Sequence, residues 1–383
     1  MGSLERAVNI ADLRRMARAR LPRVVFDYLD GGADDERTLR DNARAFRRWN
    51  FRPRHGVKVP TPDLSVTVMG QKLAWPAMAA PIGYSGLMHP DGEKGVGRAA
   101  ARAGIASVLS TISGARLEDV AATGVPLFMQ IYLLGGREAG EATIARAQAA
   151  GAKGLFLTID TPVGGLRERD VRNGLAQLLA RDLFAKARYL PDILAHPGWL
   201  ADYLMGARMS HLPNVVIPGE GPLSLLDVAS ALQRSVVSWD DLPWIRAQWK
   251  GPIAIKGVLT AEDARRAIDG GADAVVVSNH GGRQLDGVAA GLDALPDIVT
   301  AAGSQCEVLM DGGIRRGSDI VKALALGARA VLLGRGTAYG LAAAGEKGVD
   351  RALAIFQADL TRTMMLLGCA SIAQLSRAHL ERR

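Results

Sequence analysis

A histidine flanked by glycines and an arginine is the most chemically informative feature of the chain. The segment Ser278–Asp286 reads Ser-Asn-His-Gly-Gly-Arg-Gln-Leu-Asp and directly follows an apolar run. Glycines let the backbone approach a ligand, the imidazole of His280 can accept a proton, and the guanidinium of Arg283 can pair with an anion. A lone histidine is more often structural, but these neighbours favour a general base beside an anion-binding arginine.

Two later segments combine glycine with arginine. Asp311–Gly317 reads Asp-Gly-Gly-Ile-Arg-Arg-Gly, and Gly334–Gly336 reads Gly-Arg-Gly. Backbone N–H groups and arginine side chains of this kind can hold a phosphate, although glycines at such places also serve as turn formers. Lys256 ends another apolar run. Because a buried lysine must be desolvated or paired, Lys256 could hold negative charge on a cofactor.

An acidic residue and an arginine follow a further apolar run. The run closes with Thr-Ile-Asp-Thr-Pro at 158–162, and Arg167 comes shortly after it. Asp160 could orient the histidine, and Arg167 could pair with an anionic substrate. The alternative is that Asp160 caps a helix and Arg167 is a solvated surface charge, and the spacing alone does not separate the two interpretations.

These residues are distributed over short apolar runs that alternate with helical patterns. The eight runs are Pro76–Gly83, Ala106–Ile112, Pro126–Tyr132, Gly154–Asp160, Pro252–Val258, Ala274–His280, Glu307–Ile314 and Ala330–Arg335. Helix signals lie between them, such as the threonine N-cap at Thr260 and the periodic segment 317–324. Eight alternations of strand and helix predict an α/β fold, a (β/α)8 TIM barrel, whose strands are buried on both faces.

A doubly wound parallel sheet is the main competing fold. Nearly every run ends in polar or glycine-rich positions, which a barrel would collect at one mouth and a doubly wound sheet only near its switch point. These positions are Gly83, Ser110, Gln130, Tyr132, Thr158, Asp160, Lys256, Ser278, His280, Asp311, Gly334 and Arg335. No Gly-x-Gly-x-x-Gly motif follows the first run, which also favours the barrel.

Two stretches lie outside the repeat. Residues 1–75 predict an N-terminal helical extension: a helix over Ile10–Leu21, a glycine turn at residues 31–32 and a second helix, closing the barrel bottom or flanking its mouth. A long insertion after the fourth strand covers about 165–250, where an ordinary βα loop needs only a few residues. The whole chain is then a single domain with its barrel over about 76–345.

The inserted segment, residues 165–250, mixes apolar and basic side chains. They include Leu178, Leu179, Phe184, Leu190, Ile193, Leu194, Trp199, Leu200, Tyr203, Leu204, Met205, Arg181, Lys186, Arg188 and Arg208. One interpretation is a lid or subunit contact. The other is an interfacial membrane-binding segment, because cations beside aromatic and leucine residues suit anionic headgroups.

Composition excludes several classes of protein. Of 383 residues, 48% are hydrophobic and 22% charged, which excludes intrinsic disorder. Cys306 and Cys369 are the only cysteines, so neither a disulfide scaffold nor a cysteine-rich zinc module is expected, and we predict no metal site. The net charge of +8 is dispersed and lacks interleaved aromatic residues, so no nucleic-acid partner is expected. Because the sequence has neither a signal-peptide pattern nor an apolar run long enough to span a membrane, we expect a cytoplasmic protein.

Taken together, these motifs resemble the FMN-dependent L-α-hydroxy acid dehydrogenase/oxidase family over essentially the whole chain. Within that family, the chain resembles the bacterial (S)-mandelate dehydrogenases and the quinone-type L-lactate dehydrogenases. The matching segments are Phe26–Ala33 with its Tyr28, Ala80–Gly83, Gln130–Tyr132, Asp160–Pro162, Lys256-Gly257, Ser278–Asp286 and Asp311–Gly317. The Ser-Asn-His-Gly-Gly-Arg-Gln-Leu-Asp run is highly specific to that family.

The resemblance implies a role for each matching residue. His280 would be the base, Asp160 would stabilise its imidazolium, and Tyr132 would contact the oxygen on the reacting carbon. The substrate carboxylate would be bound by Arg167, Arg283 and Tyr28, with Tyr132 completing the substrate site. Residues expected to contact FMN are Ala80, Pro81, Gly83, Ser110, Gln130, Thr158, Lys256, Ser278, Asp311, Gly313, Arg315, Gly334 and Arg335.

Departures from the family pattern bear on substrate and acceptor. Gly83 stands where several oxidases have alanine, which favours a dehydrogenase, while Leu29 and Ile112 replace bulkier aromatic residues and would widen the pocket. The segment 196–199 resembles the quinone-linked lactate dehydrogenases, whereas 166–170 resembles the mandelate dehydrogenases. These two signals leave the substrate side chain open.

The resemblance implies oxidation of a mandelate- or lactate-like L-2-hydroxy acid to the 2-oxo acid, with electrons passing from FMN to a quinone or another acceptor. The alternatives are an oxidase that produces hydrogen peroxide from oxygen and an enzyme that tailors a peptide or natural product. A non-catalytic binding protein is disfavoured because base, arginines and cofactor residues are all present. We also expect a homotetramer, located in the cytoplasm or peripherally on the inner face of the cell membrane.

Overall fold

The computed structural model describes residues 4–175, 188–205, 211–217 and 219–383. Its strands are β1 (Trp49–Phe51), β2 (Val66–Val68), β3 (Gln71–Leu73), β4 (Ala77–Ala79), β5 (Ala106–Leu109), β6 (Leu127–Ile131), β7 (Leu155–Thr158), β8 (His211–Ile217), β9 (Gly221–Ser224), β10 (Ile253–Val258), β11 (Ala274–Val277), β12 (Glu307–Met310), β13 (Ala330–Leu333) and β14 (Leu380–Arg382). Eight of them close into a parallel barrel in the order β4-β5-β6-β7-β10-β11-β12-β13. The predicted (β/α)8 barrel is confirmed, and each predicted run contains one barrel strand.

Helices follow the barrel strands and also form the two additions to the barrel. They are α1 (Ile10–Arg20), α2 (Arg23–Asp30), α3 (Arg37–Ala45), α4 (Gly92–Arg102), α5 (Leu117–Ala121), α6 (Gly136–Ala149), α7 (Glu168–Asn173), α8 (Leu190–Leu194), α9 (Pro197–Met205), α10 (Val228–Arg234), α11 (Asp241–Gln248), α12 (Ala261–Asp269), α13 (Gly291–Ala302), α14 (Gly317–Ala325) and α15 (Arg335–Leu367). The predicted N-cap is confirmed, because the Thr260 hydroxyl oxygen accepts the Asp263 backbone N–H at 3.1 Å.

Apolar side chains fill the barrel on both faces of its strands. Every residue of β5, β6, β7, β11 and β13 is buried. Phe128 and Phe156 meet edge to face inside the barrel, with ring centroids 5.7 Å apart. This double burial explains why the runs read as continuous apolar segments without polar alternation.

The N-terminal extension contacts both ends of the barrel. The antiparallel β2–β3 hairpin packs Val66, Val68 and Leu73 onto the interior cluster and closes the barrel at the amino ends of its strands. The predicted helix over Ile10–Leu21 is confirmed as α1, but α2, a further helix before the glycine turn, was not predicted. Pro22 separates the two helices, because proline ends one helix and readily starts the next. α2 is buried along most of its length and places Tyr28 at the mouth.

The inserted segment contains α7 to α11 and the β8–β9 hairpin. Trp199 in α9 is buried and donates its indole N–H to the Leu87 carbonyl oxygen at 2.7 Å, while Asp202 pairs with Arg20. Predicted membrane-contact residues outside the described part of the chain are Leu178, Leu179, Arg181, Phe184, Lys186 and Arg208. Within the described ranges, no helix has the length and apolarity needed to span a bilayer.

Candidate active site

A cleft of about 1000 Å³ opens at the carboxyl ends of the barrel strands. Most of the predicted site residues line it, including Tyr28, Ala80, Pro81, Gly83, Ser110, Gln130, Tyr132, Thr158, Arg167, Lys256, His280, Arg283, Asp311, Gly313, Arg315, Gly334 and Arg335. Asp160 and Ser278 are not among the lining residues and instead contact lining residues from behind. The barrel therefore brings together side chains that are far apart in sequence.

His280 and Asp160 form a hydrogen-bonded pair at the edge of this cleft. His280 Nδ1 lies 3.0 Å from Asp160 Oδ1. Burial alone would raise the pKa of Asp160, but His280 and Lys256 lower it below its usual value, so the carboxyl is an acceptor. Since the carboxylate can only accept, Nδ1 carries the proton and Nε2 is left free to take one.

The backbone is shaped to make this pair. His280 has a left-handed backbone with φ of 57°, which turns the chain immediately after β11. Gly257 has φ of +108°, and a Cβ there would lie 2.6 Å from Asp160 Cβ. The glycine after Lys256 therefore leaves the space that Asp160 occupies.

Lys256 is the central cation of a buried polar cluster. Its Nζ donates to Ser278 Oγ at 3.0 Å and lies 3.2 Å from Asp311 Oδ2. Burial alone would lower the pKa of Lys256, but Asp311 and Asp160 raise it, so the ammonium stays charged. Ser278 Oγ also accepts the His280 backbone N–H at 3.1 Å, which ties the lysine to the histidine segment.

Three arginines at the mouth lack a carboxylate partner among the described residues. Arg283 donates to the Tyr28 and Gly31 carbonyl oxygens at 2.8 and 2.9 Å, and Arg335 donates to backbone carbonyls only. Arg315 donates to the Ile314 carbonyl oxygen. Burial and the nearby Arg167 lower the pKa of Arg283, and burial lowers that of Arg335 to about 10. A bound anion stabilises buried arginines that have no carboxylate partner.

Two tyrosines supply neutral hydroxyl groups. The Tyr28 hydroxyl donates to the Gly83 carbonyl oxygen at 3.2 Å, and the Arg283 guanidinium lies 5.0 Å from the centre of the Tyr28 ring. Burial raises the pKa of both Tyr28 and Tyr132, with Asp160 raising that of Tyr132 further. Both phenols therefore remain protonated and can donate hydrogen bonds.

A hydrogen-bonded row lies along the strand ends on the opposite side. Ser110 Oγ donates to Gln130 Oε1 at 3.0 Å, and Gln130 Nε2 donates to Thr158 Oγ1 at 3.1 Å. Thr111, which the sequence analysis did not identify, donates to the Gln130 carbonyl oxygen and accepts the Tyr132 backbone N–H. Its position next to Ser110, directly after β5, is the sequence feature that could have identified Thr111 as a site residue.

The remaining wall is apolar. It is lined by Leu29, Ile82, Met88, Ile112 and Ile314. Ile82 and Ile314 lie within the segments Ala80–Gly83 and Asp311–Gly317 but were not predicted as pocket residues, and Met88 lies outside every predicted segment. Gly83 faces Ile112 so closely that a Cβ at position 83 would lie 2.5 Å from Ile112 Cδ1.

A base held by a carboxylate, beside unneutralised arginines and a buried lysine at the mouth of an α/β barrel, defines an enzyme site for an anionic ligand. The family model described as FMN-dependent dehydrogenase matches residues 17–382. L-lactate dehydrogenase of Caulobacter vibrioides is 43% identical, with 98% of each chain covered. L-lactate oxidase of Nostoc sp. is 40% identical, covering 99% of this chain and 100% of that protein.

A solved structure agrees with these relatives. The monotopic membrane protein (S)-mandelate dehydrogenase is 40% identical and superposes with a TM-score of 0.90, covering 99% of this chain and 100% of that chain. The chain belongs to the FMN-dependent dehydrogenase family, as the sequence predicted. It is an oxidoreductase that acts on the CH–OH group of 2-hydroxy acids.

FMN is the cofactor of this family, and the cleft fits it. Asp311 Oδ1 is buried without a hydrogen-bond partner among the described residues, so it can accept from a ribityl hydroxyl. Arg315 and Arg335 provide positive charge without an ion-paired carboxylate, and Arg335 begins α15, whose N-terminus suits a phosphate. Lys256 adds a buried cation near the same aspartate.

Proposed function

We propose that this enzyme oxidises an L-2-hydroxy acid with an apolar side chain, of the mandelate or lactate type, to the 2-oxo acid. His280 is the base and takes a proton from the substrate at Nε2. Asp160 holds the ring through Nδ1 and stabilises the imidazolium that forms. The observation that supports this most strongly is the 3.0 Å contact between His280 Nδ1 and Asp160 Oδ1 in a cleft that contains Arg283 and Arg167.

The substrate carboxylate binds between Arg283 and Arg167. Arg283 is held by the carbonyl groups of Tyr28 and Gly31, so its guanidinium is positioned before the substrate arrives. Planar guanidinium groups pair with both carboxylate oxygens and so fix the orientation of the acid. Tyr132 donates its hydroxyl hydrogen to a substrate oxygen, because its phenol is neutral. The neutral Tyr28 hydroxyl exchanges its hydrogen bond with the Gly83 carbonyl oxygen for one with the substrate carboxylate.

FMN is held by groups on both sides of the cleft. Lys256, Ser110, Gln130 and Thr158 provide polar contacts for the ring, with Ala80, Pro81 and Gly83 against it and Ser278 supporting Lys256. Asp311 would bind the ribityl chain, and Gly313, Arg315, Gly334 and Arg335 would hold the phosphate. When bound, FMN would accept the two electrons and the second proton of the CH–OH group, the first proton going to His280.

The side chain of the substrate lies against the apolar wall. Leu29, Ile112 and Met88 line the cleft with aliphatic surface, and Gly83 adds the space of a missing methyl group. Burial against this wall stabilises the binding of a phenyl or methyl substituent, whereas a charged substituent would lose its hydration there and bind more weakly.

The electron acceptor is a quinone or another carrier at a membrane surface. Leu190, Leu194, Leu204 and Met205 are large apolar residues of the inserted segment that remain exposed. Exposed apolar residues of this kind, beside exposed Arg188, suit the interface of an anionic membrane. The likeness to a monotopic membrane protein supports a peripheral location at a membrane, which we propose to be the inner face of the cell membrane. From the resemblance to the family, we also expect the enzyme to assemble as a homotetramer.

Oxidase activity is the second candidate function. The L-lactate oxidase of Nostoc sp., at 40% identity over nearly the whole chain, favours oxygen as the acceptor and hydrogen peroxide as the product. Measured oxygen consumption during steady-state turnover separates the candidates, because a dehydrogenase needs an added quinone or dye and consumes little oxygen.

Anaerobic absorbance of the purified flavoprotein tests the reaction class. (S)-Mandelate, L-lactate and glycolate are added separately, and rapid bleaching of the visible flavin bands is expected with mandelate or lactate. Flavin that none of these acids bleaches would contradict the proposed substrate class and would favour a larger substrate of peptide or natural-product type.

A further inference from the structure

The helix that follows Arg167 is not held by apolar packing. α7 spans Glu168–Asn173, and none of its residues is buried. Arg167 itself caps the start of α7, and its only ion pair among the described residues is a 3.7 Å contact with Asp170 in the same turn. Before Arg167, the Gly165 N–H donates to Gln284 Oε1 at 3.1 Å and the Leu166 carbonyl oxygen accepts the Asp34 N–H at 2.8 Å. After Arg167, the position of α7 depends on polar contacts with α2 and the turn that follows it.

Arg169 makes the ion pairs that connect α7 with α2 and the turn after α2. Its guanidinium lies 3.2 Å from Asp30 Oδ2 and 3.5 Å from Asp27 Oδ1, and it also pairs with Glu36. Asp27 and Asp30 are buried residues of α2, and Glu36 lies in the turn after that helix. Asn173 adds a hydrogen bond to Asp27 at 2.6 Å.

The same α2 element holds the opposite arginine of the carboxylate site. Arg283 donates to the carbonyl oxygens of Tyr28 and Gly31, so its position is defined by the end of α2. Arg167 and Arg283 repel each other, since Arg167 lowers the pKa of Arg283. Because two like charges that line one cleft repel each other, the segments that carry Arg167 and Arg283 must be held in place by other contacts. Both segments contact α2.

We propose that Arg169 is a positioning residue that fixes Arg167 opposite Arg283 by binding α7 to the carboxylates of α2 and its following turn. The inference rests on the proposed role of Arg167 in binding the substrate carboxylate. Arg169 touches no substrate in this assignment. Removal of the Arg169 side chain changes the distance between Arg167 and Arg283 and the orientation of Arg167, and so lowers the affinity for the substrate carboxylate.

The fold is expected to survive the loss of Arg169. Asp30 retains Arg14 at 2.6 Å and the Tyr339 hydroxyl at 2.7 Å, and Asp27 retains Asn173. No buried carboxylate of this cluster is therefore left without a partner in an Arg169→Met variant.

A double-mutant cycle with Arg167 tests the proposal. Binding of oxalate to the purified FMN-loaded enzyme is measured by calorimetry for the wild type, Arg169→Met, Arg167→Met and the double variant. Arg169→Met should weaken oxalate binding about tenfold when Arg167 is present, and less than about twofold when Arg167 is already methionine. Arg172→Met removes the same charge from the same helix and should change binding less than about twofold, because Arg172 pairs with Glu168 of its own helix and not with α2.

The other outcomes are distinguishable. An equal loss of affinity in both Arg167 backgrounds, or no loss at all, would overturn the positioning role. Unchanged oxalate binding in Arg167→Met would refute the proposed carboxylate site and the inference with it. If Arg169→Met is recovered without FMN, Glu36→Gln takes its place, because it removes one partner of Arg169 and keeps an acceptor for the Gly32 backbone N–H. The expected result is then a smaller loss of affinity that again requires Arg167.

Discussion

His280 Nδ1 and Asp160 Oδ1 are 3.0 Å apart, although the two residues follow different barrel strands, β11 and β7. The contact passes across the end of β10, where Gly257 leaves space for the aspartate. It sets the tautomer of the imidazole and directs Nε2 to the ligand side. The pair therefore connects the barrel topology with proton transfer.

Replacement of His280 should separate catalysis from cofactor binding. His280→Gln is expected to keep FMN and to slow anaerobic flavin reduction by about 10²–10⁴, the usual contribution of a general base. Asp160→Asn should slow the same step less, because the imidazole remains but loses its carboxylate. Stopped-flow absorbance with (S)-mandelate or L-lactate measures both, and reduction at the wild-type rate in His280→Gln would contradict the assignment.

Lys256 is expected to contribute separately to FMN affinity and to the free energy of unfolding. Lys256→Met leaves the buried Asp311 carboxyl without its cation, which is expected to cost about 3 kcal/mol of unfolding free energy and to weaken FMN binding. Lys256→Met combined with Asp311→Asn should recover the stability but not the FMN affinity. Urea unfolding of the apoprotein and FMN titration measure the two effects.

Lys250→Met, at an exposed position in the same region of sequence, is the control for Lys256→Met. Its unfolding free energy and FMN affinity should match those of the wild type. Full FMN affinity in Lys256→Met would exclude the lysine from the cofactor site.

The barrel and most of its mouth could be predicted from sequence because both depend on local patterns. Buried parallel strands are continuous apolar runs, and their ends carry the polar residues, so Lys256 and His280 marked the site directly. Arg169 could not be recognised in this way, since its partners Asp30 and Glu36 lie more than a hundred residues away and no spacing in the sequence relates them to it. The helix α2, which begins after Pro22, was also not predicted.

Gly83 should determine how large a substrate the cleft accepts. A methyl group at position 83 would lie 2.5 Å from Ile112 Cδ1, so Gly83→Ala pushes the isoleucine into the cleft. The ratio of kcat/KM for (S)-mandelate to that for L-lactate should fall about tenfold, the size of effect expected for one methyl group in a specificity pocket. Steady-state kinetics with both acids measures it.

Ile112→Ala in the Gly83→Ala background should restore part of the ratio, because it removes both atoms that the added methyl group would clash with, Cδ1 at 2.5 Å and Cγ1 at 2.6 Å. If Gly83→Ala leaves the ratio unchanged, the side chain of the substrate does not lie on this wall.

The exposed end of α9 should contribute to membrane binding. Leu204 and Met205 are 53% and 79% exposed, and replacing both by aspartate should lower partition onto anionic phospholipid vesicles about tenfold or more. Leu366→Asp changes a residue that is 68% exposed at the far end of α15 and should leave partition unchanged. Vesicle sedimentation measures the bound fraction, and equal losses in both variants would exclude a specific contact.

Asp30 should make stability depend on acid pH. Burial alone would raise its pKa, but Arg14, Tyr339 and Arg169 lower it from 3.8 to about 2. Because the folded pKa is below the unfolded one, the stabilisation is complete above about pH 4 and is lost as the pH falls through 2. A shift of this size corresponds to about 2 kcal/mol.

Asp30→Asn should therefore unfold more readily than the wild type at pH 7, and the difference in unfolding free energy should narrow between pH 4 and pH 2. Urea unfolding at pH 7, 4 and 3 measures the difference, with Asp269→Asn at an exposed position as the control. A difference that stays constant over this range would mean that the loss comes from packing or from the neutral hydrogen bond to Tyr339. A narrowing difference assigns the stabilisation to the ionised carboxylate that Arg14 and Arg169 share.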